Sequence, residues 1–270
     1  MRLKGKVAIV TGTRSGIGKE VAIRYAAEGA SVLCCTRKAA NSHVLADEIR
    51  AAGHEAKYVE CDVSQESDVI NAVRTAVQTY GKLDIIVNNA GVNFAKPFME
   101  TTTEDWDRVM ATDLRGTFFF CRYGIAEMLK TGGGSIINIT SVHTMAGLPE
   151  AAPYDAAKWG VVGMTKALSA EFASKSIRVN SLAPGLIDTQ IWDDILGAAD
   201  DVEECKAYWA ANIPAGRPGT VGEVASACVF LGSDEATYFN GSNIIVDGGM
   251  TGLLVSKPNF KSRAVEGGKR

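Results

Sequence analysis

The segment Pro153–Trp159 reads PYDAAKW and sets a phenol and an ammonium four residues apart in an alanine-rich run. On a helix, residues i and i+4 share one face, with Cβ atoms about 5–6 Å apart. Tyr154 and Lys158 would then point the same way and feel each other's charge. An opposite charge nearby favours the ionised form of a titrating group, so the pair suits proton exchange. The same spacing also describes an ordinary solvated pair, and the elements around it must decide. Thirteen residues upstream, Ser141 closes the run NITS. That is enough chain to leave a strand, loop back and enter the next helix.

Those elements alternate. Strands are expected over Val7–Val10, Ser31–Cys35, Ala56–Glu60, Asp84–Val87, Ser135–Ile139, Arg178–Ser181 and Asn243–Val246. Their apolar character is nearly continuous, as parallel strands covered on both faces require. Helices are expected over Gly18–Glu28, Ala40–Ala52, Glu66–Tyr80, Glu104–Lys130, Tyr154–Ser174 and Val221–Leu231. This order predicts an α/β fold with one doubly wound parallel sheet, Rossmann-like, of about seven strands with helices on both faces. Residues 1–254 form a single catalytic domain in this reading. Residues 186–218, rich in glycine, proline and acidic side chains, form a helical lid insertion, and residues 255–270 a basic tail.

The loop TGTRSGIG, Thr11–Gly18, joins the first strand to the first helix. Glycines there let a pyrophosphate approach the backbone, and the helix N-terminus offers free N–H groups and partial positive charge. Gly12, Arg14, Ser15, Gly16, Ile17 and Gly18 are therefore candidate dinucleotide contacts. About 20 residues on, an acidic side chain normally holds a free ribose 2′-hydroxyl, whereas arginine accommodates a 2′-phosphate. The second strand ends CCTRK, with Thr36 at the acidic position and Arg37 after it. Two guanidiniums, Arg14 and Arg37, point to NADP(H) in preference to NAD(H), which stays possible.

Composition narrows the class. The formal net charge of −3 argues against a nucleic-acid surface. No apolar run reaches the roughly 18–20 residues that span a bilayer. The N-terminal residues lack the pattern of a signal peptide, so a cytoplasmic protein is expected. The six cysteines form no C-x-x-C pair, and the three histidines are scattered, so no metal site is expected.

Taken together, the motifs resemble those of the short-chain dehydrogenase/reductase family from about Lys4 to Gly252. They are TGxxxGxG, the turn CDV with Asp62 and Val63, NNAG at Asn88–Gly91, Ser141 with Tyr154 and Lys158, PG at Pro184–Gly185, and VDGG ending at Gly249. The resemblance implies hydride exchange between a nicotinamide and a carbonyl or alcohol. Tyr154 would be the general acid or base, and Lys158 would lower its pKa and hold the ribose. Ser141 would orient the substrate oxygen. A free phenol has a pKa near 10, so it needs such help at neutral pH. Asp62 and Val63 would border the adenine, Asn89 the ribose, and Ile187 and Thr189 the nicotinamide amide. A homotetramer is implied as well.

One residue departs from the family pattern. TDLRGTF carries Asp113 where the family usually has asparagine, a position tied to a water relay reaching the lysine. A carboxylate there can pair with Lys158 and raise its pKa, so Asp113 joins the candidate catalytic set. For the substrate, His143 can donate to a polar group or cap a turn. Asn93, Glu150, Trp192 and Trp209 are further pocket candidates. The run SVHTMAGLPEAAPYDAAK resembles sugar, sugar-acid and polyol dehydrogenases, while a 3-oxoacyl thioester or cyclic ketone stays open. The rival class is a dinucleotide-binding regulator that has lost turnover.

Overall fold

The computed structural model describes residues 1–37 and 41–254. The basic tail from Val255 and the start of the helix expected at Ala40 lie outside the described residues. The strands β1 (Val7–Thr11), β2 (Ser31–Thr36), β3 (Ala56–Glu60), β4 (Ile85–Asn88), β5 (Gly134–Ile139), β6 (Ile177–Pro184) and β7 (Asn243–Val246) form one sheet. Every pairing is parallel, in the order β3-β2-β1-β4-β5-β6-β7. The order reverses between β1 and β4, the place where open α/β sheets receive a ligand.

The helices are α1 (Gly16–Ala27), α2 (Val44–Ala51), α3 (Glu66–Tyr80), α4 (Thr103–Val109), α5 (Gly116–Thr131), α6 (Ala152–Phe172), α7 (Gln190–Gly197), α8 (Val202–Asn212) and α9 (Val221–Gly232). Alternate strand residues feed two cores. Ala8 and Val10 of β1 pack with Val21 and Tyr25 of α1 and with Val224 and Cys228 of α9. Ile9, between them, joins Val69 and Val73 of α3 and Phe120 and Met128 of α5 on the opposite face. Period-two alternation thus explains why every β1 residue is apolar or buried.

The helix expected over Glu104–Lys130 is not continuous. α4 runs into a π-helical stretch at Met110–Arg115, and α5 follows. Two hydroxyls bond back to carbonyls across the stretch, Thr112 Oγ1 to Arg108 O at 3.0 Å and Thr117 Oγ1 to Asp113 O at 3.0 Å. Such wider turns re-aim side chains and favour functional sites. Here the turn carries Asp113, which is 1 % exposed. The segment expected as a lid folds into α7 and α8.

Candidate active site

The carboxyl ends of the strands open into a cleft of about 780 Å³. Its phosphate end is built by the loop after β1. Gly12 (φ +70°) and Gly16 (φ +59°) adopt left-handed backbone that only glycine takes without strain. Ser15 holds the N-cap position of α1 but makes no side-chain cap bond, so the first-turn N–H groups stay available to an anion. Arg14, Ser15, Gly16 and Ile17 line the cleft. Gly18 does not; a Cβ there would run into Asn89 Nδ2 and Gly12 O. The missing side chain allows close helix–strand packing there.

Asn89 stitches β4 to this loop. Its amide donates to Thr11 O at 3.0 Å and Gly12 O at 3.3 Å, while Thr11 Oγ1 accepts from the N–H groups of Asn89 and Ala90. Thr11 went unread as a functional residue, although its place in TGxxxGxG was the available signal. At the cleft's far wall lie Thr36, Arg37, Asp62 and Val63. Neither Arg14 nor Arg37 forms an ion pair among the described residues, although other arginines do. Two uncommitted guanidiniums beside an uncapped helix N-terminus fit a dinucleotide phosphate. Ile187 and Thr189, past the PG turn, also border the cleft.

Ser141, Tyr154 and Lys158 all line the same cleft. Ser141 is buried and caps the turn Val142–Thr144 by accepting from His143 N at 3.2 Å. Pro153 sits in the first turn of α6, where its missing N–H costs nothing, and starts the helix just ahead of Tyr154. Lys158 Nζ lies 5.3 Å from the Tyr154 ring centroid and donates to Ile139 O at 3.3 Å. Asp113 completes the group, with Oδ2 3.1 Å from Lys158 Nζ and Oδ1 accepting from Val92 N at 2.8 Å. Burial works against the lysine's charge, but Asp113 and Tyr154 outweigh it and hold the ammonium above its ordinary pKa.

His143 does not line the cleft. Asp155 takes its Nδ1 at 2.6 Å, and its ring stands edge-on to Tyr154 with centroids 5.2 Å apart. The imidazole thus packs against the tyrosine ring and is held by a carboxylate one turn into α6. Glu150, Trp192 and Trp209 stay outside the cleft as well; Asn93 lines it. So do Arg108, Thr112, Gln190 and Ile191, which no motif marked. Polar residues on amphipathic helices read as solvent-facing until the fold lays the helix over a cleft.

A sequence model described as enoyl-(acyl carrier protein) reductase matches residues 12–251. D-threitol dehydrogenase of Mycolicibacterium smegmatis is 37 % identical over 254 residues, covering 93 % of this chain and 94 % of that one. The chain belongs to the short-chain dehydrogenase/reductase family. As a member it is an oxidoreductase of small molecules, and the family binds NAD(P). A 3-oxoacyl-[acyl-carrier-protein] reductase of Thermotoga maritima is 36 % identical and covers 93 % of this chain and 99 % of its own. Among solved structures, one from Beutenbergia cavernae superposes with a TM-score of 0.87 at 35 % identity, covering 93 % of this chain and 98 % of that one. Its activity is given provisionally as NAD(P)-dependent gluconate 5-dehydrogenase, and it holds NADP at low occupancy. Family membership sets aside the reading of a regulator from another class.

Proposed function

We propose that this short-chain oxidoreductase uses NADP(H) to interconvert a carbonyl and a secondary alcohol on a sugar, sugar acid or polyol. The observation that carries the reading is the convergence of Ser141, Tyr154 and Lys158 on one cleft with an anion-ready loop at its other end. When bound, the nicotinamide supplies or accepts the hydride. Tyr154 passes the proton to or from the substrate oxygen. Lys158 supplies positive charge beside the phenol and hydroxyl-binding capacity for a ribose. Ser141 holds the substrate oxygen against Tyr154. Arg14 and Arg37 receive the 2′-phosphate, with Asp62, Val63, Asn89, Ile187 and Thr189 along the rest of the cofactor.

The polyol reading draws on the threitol and gluconate dehydrogenases among the relatives, and a 3-oxoacyl thioester reductase is the second reading, favoured by the Thermotoga maritima relative. Residues 186–218, with α7 bringing Gln190 and Ile191 to the cleft, serve as the lid over the substrate. Unpaired, mostly buried cysteines support a reducing, cytoplasmic setting. Exposed Trp106, Phe118 and Trp159 on α4, α5 and α6 support a homotetramer, which native mass measurement checks.

A spectrophotometric screen of polyols, sugar acids, ketones and a 3-oxoacyl thioester with both cofactors tests the proposal. Turnover with NADPH or NADP is expected, falling about 10²–10⁴-fold in Tyr154→Phe while cofactor binding persists. An equally active Tyr154→Phe protein would remove Tyr154 from the chemistry.

A further inference from the structure

Asp113 differs from every other acidic residue around the cleft in being sealed from solvent at 1 % exposure. Its two oxygens do different work. Oδ1 accepts from Val92 N at 2.8 Å and anchors the segment after β4. Oδ2 is buried and stands 3.1 Å from Lys158 Nζ. The ammonium is held there by charge and by a side-chain hydrogen bond together. Gly91 leaves the room for it, since a Cβ there would stand 2.8 Å from Oδ2 and 3.4 Å from Nζ.

Opposite charges this close act on a third group as a dipole, and the attraction a lone cation would exert is partly cancelled. The third group is Tyr154, whose ring centroid lies 5.3 Å from the same Nζ. We infer that Asp113 is a positioning residue that screens Lys158 from Tyr154, so that the phenol releases its proton at higher pH than it would beside an unpaired lysine. The inference rests on the proposed role of Tyr154. Its consequence is that alcohol oxidation needs higher pH than it would without the Asp113 charge.

Other charges around the pair are accounted for. His143 meets Asp155, and on α4 Arg108 lies 3.8 Å from Asp105, which already holds Lys96 at 2.8 Å. Glu104 and Asp107 of α4 are exposed, as is Glu150 in the loop before α6. Arg14, Arg37 and Asp62 stand along the cofactor end of the cleft. Asp113 alone among these pairs directly with Lys158, and all of them are unchanged in an Asp113→Asn protein.

Asp113→Asn keeps the shape and, through its amide oxygen, the acceptor for Val92 N, while it removes the charge and the acceptor that faces Lys158. Two titrations on the full-length protein read its effect: the acid limb of kcat/KM for alcohol oxidation, and the near-ultraviolet tyrosinate absorbance that disappears in Tyr154→Phe. Both are expected to move to lower pH by about one unit, a tenfold change in rate at fixed pH on the limb. Coincident curves for the parent and Asp113→Asn would overturn the inference, leaving Asp113 as an anchor for Val92. Should Asp113→Asn fail to fold, Asp113→Ser is titrated against the same two outcomes. An active Tyr154→Phe protein would instead defeat the functional reading, and the tyrosinate titration would still judge the screening by itself.

Discussion

His143 Nδ1 lies 2.6 Å from Asp155 Oδ1, and the same imidazole meets the Tyr154 ring at an interplanar angle of 82°. Asp155 also accepts from Leu148 N at 3.2 Å, so one carboxylate ties the turn after β5, the following loop and the start of α6 together. Hydrogen bonds to a charged group contribute about 1.5–3 kcal/mol each when sheltered. Asp155→Ala is expected to lose about that much stability and to lower kcat more than it raises KM, because the Tyr154 face is no longer braced. Urea denaturation with steady-state kinetics checks this. A variant with parental stability and kcat would show the bridge to be idle.

Cofactor choice is expected to depend on Arg37. It lines the cleft beside Thr36, and no carboxylate among the described residues neutralises it. Replacing it in Arg37→Asp offers a free ribose hydroxyl a partner and repels a phosphate. The ratio of kcat/KM for NADPH over NADH should fall at least about tenfold, or about 1.4 kcal/mol. An unchanged ratio would place the 2′-phosphate elsewhere.

The acid limit of stability should carry a contribution from Glu223. Arg217, then Thr220, hold its carboxyl down to about 2 from an ordinary 4.5. Thr220 and Glu223 form a reciprocal cap on α9, the helix packed against α1. A depressed folded pKa means stability present above the unfolded value, lost as pH falls from about 4.5 through about 2. The stability gap between the parent and Glu223→Gln should accordingly be constant at neutral pH and close across that window. Denaturation midpoints measured from pH 7 downward check this, and a gap that widens on acidification would contradict it.

Much of the scaffold was legible in the residue order. Ala56–Glu60, Glu66–Tyr80 and Asn243–Val246 begin and end where their periodicity and flanking residues suggest. Runs such as VAIVT and SVLCCT read as two-faced parallel strands because both neighbours of every side chain are apolar or small. The break in Glu104–Lys130 was not legible. A single π-helical turn adds a residue to the spiral between two α-helical runs of ordinary composition, and the partners that Asp113 finds there, Val92 and Lys158, lie far off in the chain. His143 illustrates the same limit from the loop side. Its distance from Ser141 along the chain says nothing about Asp155, which claims its ring only once α6 has docked.

The amino-acid order alone determined which groups this protein can use. A glycine loop between an apolar strand and a helix, a serine at a strand's carboxyl end, and a tyrosine and lysine on one helical face are local matters of backbone preference and spacing. The tertiary structure alone decided how those groups act on each other. Burial and proximity across separate elements set the strength of a charge, and they put Asp113 against Lys158, left Arg14 and Arg37 without a carboxylate partner among the described residues, and set His143 against Asp155. Such interactions depend on distances and dielectric that exist only after β4, α6 and the turn between α4 and α5 have packed together.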